Sequence, residues 1–258
     1  MKSLLLFFYL ILYRIKAAFQ YPLDLFVGVL GTILWHLPGL IMLFVLSSSN
    51  LAQVYSVESL ILLYGLSVFG DGIQHTFFEA LWQFGNRYII NGDFDGVITK
   101  PVSSYVQVVT SRFDIDGLGG VLLGLFCCTY YLHSLEMIET GTIVCLFLSL
   151  ITSGLIFVGI NTITSAMAFL IYNNFPLSNS IFQLHTFARY PKKAYPHFIG
   201  IILTFIIPMF WATYYPSQII ELNHIQFAIF VLSGAVLFLI CSILFWNYLS
   251  KSYKSTGT

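Results

Sequence analysis

The stretch 141–172, GTIVCLFLSLITSGLIFVGINTITSAMAFLIY, contains no Asp, Glu, Lys, Arg or His. A helix over that length is roughly 48 Å long at ~1.5 Å per residue. The hydrocarbon core of a bilayer is only about 30 Å thick, so the run reads as a transmembrane helix that tilts or extends beyond the membrane. The whole chain shares this character. Of its 258 residues 58% are hydrophobic and 9% charged, with a mean hydropathy of +0.85, whereas soluble domains carry about 25% charged residues. The formal net charge is zero, which argues against a nucleic-acid partner, because phosphate binding needs a concentrated basic surface.

Working outward from this run, further apolar stretches long enough to span occur at about 23–46, 58–82, 117–135, 198–220 and 226–249. The expected fold is therefore all-α: one transmembrane domain over 1–258 with six spans, surrounded by membrane lipid. Before the first span, Leu4 to Tyr13 is apolar and is flanked by Lys2, Arg14 and Lys16. It is too short to cross and has no small-residue cleavage site, so 1–21 reads as an interfacial amphipathic helix.

Lysine and arginine orient the spans. Lys2, Arg14 and Lys16 precede the first span, and Arg87, Lys100 and Arg112 fall in the long loop 83–115. Arg189, Lys192 and Lys193 fall in 173–197, and Lys251 and Lys254 follow the sixth span. With six spans all eleven basic residues lie on one side. The opposite loops, around 47–57, 134–140 and 216–225, carry only acidic charges. By the positive-inside rule both ends are cytoplasmic.

No enzyme signature is present. There is no G-x-x-x-x-G-K-[ST] loop for a nucleotide and no H-E-x-x-H. Gly65-Leu66-Ser67-Val68-Phe69-Gly70 fails the G-x-S-x-G spacing. Cys127, Cys128, Cys145 and Cys241 sit in apolar runs without metal-ligand spacing. We therefore expect no catalytic residue, no metal and no cofactor bound by this chain.

The chemistry that stands out lies in the second span. Asp71, His75 and Glu79 are four residues apart and share a helical face, with Gln74 beside them. Ionisable groups in hydrocarbon are costly unless paired or hydrated, so this face must look at protein or water. Two readings stand: a strip beside a substrate or proton path, or an interhelical hydrogen-bond cluster that holds the bundle together. His36, next to Pro38 in the first span, is a candidate partner for the strip. Gly117, Gly120 and Gly124 give the third span a smooth face suited to a close helix crossing, within the chain or across a dimer. Asn161, Thr162, Thr164 and Ser165 in the fourth span read as packing residues.

Two segments carry a family resemblance. Asn91-Gly92-Asp93-Phe94-Asp95-Gly96-Val97-Ile98-Thr99-Lys100-Pro101-Val102-Ser103 is similar to the cytosolic loop of the six-span permeases of type-2 ABC exporters. Phe187-Ala188-Arg189-Tyr190-Pro191, Tyr195-Pro196, Thr204 to Pro208 and Tyr214-Tyr215-Pro216 resemble the last inner loop and fifth span of the same permeases. Lys100 stands where arginine is more usual, and Gly96 and Thr99 stand where apolar residues are. The resemblance implies a permease in a bacterial plasma membrane, working with a second six-span chain, the same or related, and with two copies of a separate ATPase that bind ATP and magnesium. It also implies a short coupling helix within 83–103, with Arg87, Asp93, Asp95, Lys100 and Pro101 as contacts or shapers. His36, Asp71, Gln74, His75 and Glu79 are then substrate-pathway candidates. The alternatives are a proton- or ion-coupled secondary transporter or channel using Asp71, His75 and Glu79 as a relay, and a scaffold that would tolerate loss of the strip.

Overall fold

The computed structural model describes residues 20–47 and 55–254, the side chains of Leu46 and Ser47 excepted, together with Tyr9, Leu12, Tyr13, Lys16 and Ala17. The interfacial helix expected over 1–21 lies for the most part outside the described residues, as does most of the loop expected at 47–57. The described chain is all-helical. Three helices are long and apolar enough to cross a membrane: Pro22–Val45, Thr140–Ile171 and Ile225–Ser252.

Helix α1 (Pro22–Ser47) begins on a proline, whose missing N–H costs nothing in a first turn, and has Asp24 against the positive end of its dipole. Much of its surface, including Phe26, Trp35, Ile41 and Phe44, is exposed. Helix α2 (Val57–Trp82) is capped by the Ser56 side chain, which accepts from the Ser59 amide. Seventeen of its 26 residues are buried, on every face. It is the axis of the bundle.

The tightest crossing is between α2 and α5 (Leu118–Ser134). A Cβ at Gly72 would lie 2.5 Å from the Val121 amide, one at Gly117 2.6 Å from the Thr76 amide, and one at Gly124 2.6 Å from the Phe69 amide. Gly65 would overlap Cys127 in the same way. The glycine face expected on the third span is thus used inside the chain, where backbone meets backbone. Helix α6 (Thr140–Ala166) packs on the other side of α2. Ser153 donates to the Leu66 carbonyl (2.7 Å) and Ser165 to the Leu81 carbonyl (2.6 Å).

Between α2 and α5 the chain forms a π-helical turn (Gly85–Ile90) and two short helices, α3 (Phe94–Ile98) and α4 (Ser104–Val109). Beyond α6, helix α7 (Ala168–Ile171) stops at Tyr172, whose φ of 62° no helix continues. Helix α12 (Ile225–Leu249) packs along α6, with Phe238 and Ser242 at Gly159.

The segment 173–197 departs from its reading as an inner loop. Helix α8 (Phe175–His185) and the 3-10 turn Thr186–Arg189 climb along α2 from the loop end of the bundle. Trp82 meets Phe175 and Phe182 with ring centroids 6.1 and 5.3 Å apart. Further up, the His185 ring faces Asp71, and Arg189 lies 5.3 Å over the Tyr64 ring. Trp82 and Tyr64 are separated by roughly 27 Å of helix. Arg189 is therefore carried well away from the 83–103 loop. Lys192 goes with it, its ammonium 3.4 Å from the Tyr215 hydroxyl. The placement of all eleven basic residues at one end fails for these two. Some of the segment's polar groups are paired there: Asn174 accepts from the Gly85 amide and donates to Ser178, and Thr213 donates to the Ala188 carbonyl.

The span expected at 198–220 is likewise not one helix. His197–Ile206 and Met209–Leu222 are bent by 72°. They comprise α9 (His197–Ile201) with its π turn, then α10 (Met209–Ala212) and α11 (Tyr214–Leu222). The cause is Pro208, which pushes the preceding residue out of the α region; Ile207 is extended, at φ −119° and ψ 91°.

Gly124→Leu should force the α2–α5 crossing apart and destabilise the protein by about 1–3 kcal/mol, the usual range for overpacking, read as a lower melting temperature in detergent. Gly31→Leu, at a position where an added Cβ meets nothing within 4 Å, should leave the melting temperature unchanged.

Candidate functional site

Four of the five pathway candidates converge through α2 itself, and α1 brings His36 to them. Together they line a cavity of about 420 Å³ whose walls also include Trp35, Trp82, Phe182 and Asp116. His36, Asp71, Gln74 and Glu79 are 3%, 6%, 4% and 9% exposed, whereas the His75 side chain is 44% exposed, so most of the strip is turned into the protein and His75 sits at its edge. The Tyr64 hydroxyl donates to the His36 carbonyl, which fixes α1 against α2 at this level.

Two acid–histidine pairs sit here. His75 Nδ1 is 3.8 Å from Glu79 Oε2, and His185 Nδ1 is 3.8 Å from Asp71 Oδ1. Both separations exceed hydrogen-bond reach. His36 Nδ1, Asp71 Oδ1, Gln74 Oε1, His75 Nδ1 and both ring nitrogens of His185 are buried without a hydrogen-bond partner among the described residues. Buried polar atoms are nearly always satisfied, and those that are not call for water, an ion or a ligand.

Between His75 and Glu79, within the stretch that lines the cavity, α2 breaks its helical geometry at Phe78 (φ −128°, ψ 19°). The freed carbonyls find partners elsewhere. The Asp114 amide donates to the Thr76 carbonyl (3.0 Å) and Asn161 Nδ2 to the Phe78 carbonyl (3.4 Å). Thr162 and Thr164 bond back to their own helix, as expected of packing residues, whereas Asn161 and Ser165 also reach across to α2.

The five coupling candidates lie on the loop at the end of α2. Arg87 and Asp93 form an exposed ion pair (3.5 Å), worth no more than about 1 kcal/mol. Asp95 lies beside Tyr253, whose phenol pKa is raised by burial and then by that carboxylate. Lys100 and Pro101 are exposed on the rim. Aromatic packing holds the loop instead. Phe84 contacts Tyr88, Phe94, Phe169 and Trp246 at centroid distances of 4.4–5.7 Å, and Trp246 contacts Tyr105 at 5.6 Å. At about 0.5–1.5 kcal/mol per pair beyond area burial, this cluster outweighs the surface ion pair. It fixes the loop to α7 and α12 as well as α2. Gly92, at φ 79°, makes the turn that a side chain would strain.

Sequence reasoning missed His185 and Arg189, which it assigned to an inner loop. The signal was present: Asn174, Ser178, His185 and Ala188 are all buried, at offsets of four, eleven and fourteen residues, the seam of a helix packed through small and polar groups.

An enclosed polar cavity inside a helical bundle, beside a rigid loop at one end, is the arrangement of a transport subunit. The family model for ABC-2 family transporter proteins matches residues 33–257, and the chain belongs to that family. Comparison with curated proteins and with solved structures returns no significant match.

His185→Leu should remove the imidazole nearest to Asp71 and destabilise the protein by about 1–3 kcal/mol, the cost of leaving a buried polar group without a neighbour to satisfy it. Adding Asp71→Asn should recover most of that loss in melting temperature. A double variant no more stable than His185→Leu alone would show that the two side chains do not support each other.

Proposed function

We propose that this chain is the permease subunit of an ATP-driven exporter in a bacterial inner membrane. It pairs with a second six-span chain, identical or related, and two copies of a separate ATPase, which hold ATP and magnesium, dock at its cytoplasmic face. Membership of the ABC-2 family supports the class. The observation that carries the docking site is the clamped loop: Phe84, Phe94 and Tyr105 face inward, while Ile90, Ile98, Lys100 and Pro101 are turned out. A rigid turn with exposed apolar residues is what a partner subunit can push.

In this reading the six crossings are α1, α2, α5, α6 with α7, α8 with its 3-10 turn, and α12. Both ends lie on the loop side, and the bent pair 197–222 dips in from the opposite face. Closure of the ATPase dimer displaces the loop, and the aromatic cluster passes that displacement to α2 at its break at Phe78. The break lies next to Glu79, at the level of the cavity, so a change in its angle changes which face the cavity opens to.

Two measurements test this. Ile98→Asp should abolish co-purification of a P-loop ATPase from the native host while moving stability by less than about 0.5 kcal/mol, as an exposed substitution does. Retention of the ATPase would refute the docking site. Lys193→Cys in a Cys241→Ser background should react with a membrane-impermeant thiol reagent from outside intact cells. Labelling only after permeabilisation would return 173–197 to the cytoplasm.

A further inference from the structure

The cavity does not end at its buried part. Gly28 and Asp116 line both it and a second, more open depression of about 480 Å³ bounded by Asp24, Arg112 and Asp114. The two form one route from the loop end of the bundle to its middle. Five carboxylates border the route (Asp24, Asp114, Asp116, Glu79 and Asp71) against one arginine, Arg112. That arginine is engaged, donating to Gln83 Oε1 (3.1 Å) and to Asp114 Oδ2 (3.5 Å). Arg189 stacks on Tyr64 further up. A low-dielectric cleft lined by one sign of charge concentrates ligands of the opposite sign.

The inner part adds two features. Its lining includes the aromatic residues Trp82 and Phe182, with the exposed Trp35 at its mouth, side chains of a kind that attract a cation once water is excluded. Asp71 and Gln74, 6% and 4% exposed, each present an oxygen acceptor with no partner, Asp71 Oδ1 and Gln74 Oε1. We propose that the cargo of this cavity is a lipophilic organic cation, drawn in along the acidic route and held between the aromatic rings with its charge toward Asp71 and Glu79. The other classes fit worse. An anion would meet the carboxylates. A neutral apolar molecule would leave the acceptors bare. A metal ion lacks ligands, because no group of three or more His, Cys, Asp or Glu among the described residues can hold one. The volume suits a drug-sized molecule, for which pockets run from about 300 Å³.

This deepens the exporter reading and rests on it for the word cargo, but its test needs no ATPase. The full chain in lipid nanodiscs is dialysed against tetraphenylphosphonium and, separately, against tetraphenylborate, an anion of nearly the same size and shape, with empty nanodiscs as the partition control. Saturable binding of the phosphonium alone is expected. It should weaken at least tenfold in both Asp71→Asn and Glu79→Gln, and should be lost in Gly31→Phe, which fills the cavity from an open position on α1 without touching the charges. Equal binding of the two ions, no saturable binding to the parent protein, or full phosphonium affinity in both carboxamide variants would overturn the proposal. Because ATPase co-purification is measured on other residues, failure here with the ATPase retained would discard the cargo and leave the exporter standing.

Discussion

A helix that carries carboxylates through hydrocarbon must be surrounded by protein or water, and the rest of this bundle is arranged around that requirement. α2 holds Asp71 and Glu79, each costing several kcal/mol if left facing lipid. The glycine seam brings α5 within backbone contact on one side. α6 supplies serines and an asparagine on another, and α8 climbs the remaining groove with His185 and Arg189. Small residues let neighbours come close, and hydroxyl and amide groups satisfy the carbonyls of the broken turn. The apolar helices α1 and α12 are then free to show most of their surface to lipid.

Much of this was legible. The uncharged run at 141–172 gave the class and the fourth span, and Gly117, Gly120 and Gly124 gave a close crossing that the structure uses. The spacing of Asp71, His75 and Glu79 gave a shared face, now seen to line a cavity with Gln74 and His36. The segment 173–222 departed from its reading for three physical reasons. A short helix that touches the bundle along one narrow seam, buried at Ser178 and His185, does not need a hydrophobic composition, so α8, with its Ser, Asn and Gln, read as a loop. Charge counting assumes that lysine and arginine sit in water at the membrane surface, whereas Arg189 and Lys192 lie against the rings of Tyr64 and Tyr215. An apolar run interrupted by Pro208 looked like one span because hydropathy averages do not register a change of direction.

The loop and the cavity differ in what holds them. Around the loop, Phe84, Phe94 and Tyr105 pack through a shared set of rings against Phe169 of α7 and Trp246 of α12. Around the cavity the acid–histidine pairs stand 3.8 Å apart and several ring nitrogens are unbonded. In the reading proposed above, a tightly packed loop at one end and unfinished bonding in the middle are what a transport cycle requires. The first transmits force without absorbing it, and the second lets a guest replace contacts that the empty protein does not make.

The break at Phe78 divides α2 unequally. Below it lie about 6 Å of helix leading to the loop, and above it about 32 Å reaching the far end of the bundle. Pivoted there, the helix has a gear ratio near five, so a 1 Å push on the short arm sweeps the far tip by about 5 Å, close to the width of one helical turn. The glycine seam runs entirely along the long arm and leaves no clearance for α2 to slip past α5. In the reading proposed above, the two helices would then swing as a single oar, with the largest stroke at the end farthest from the loop.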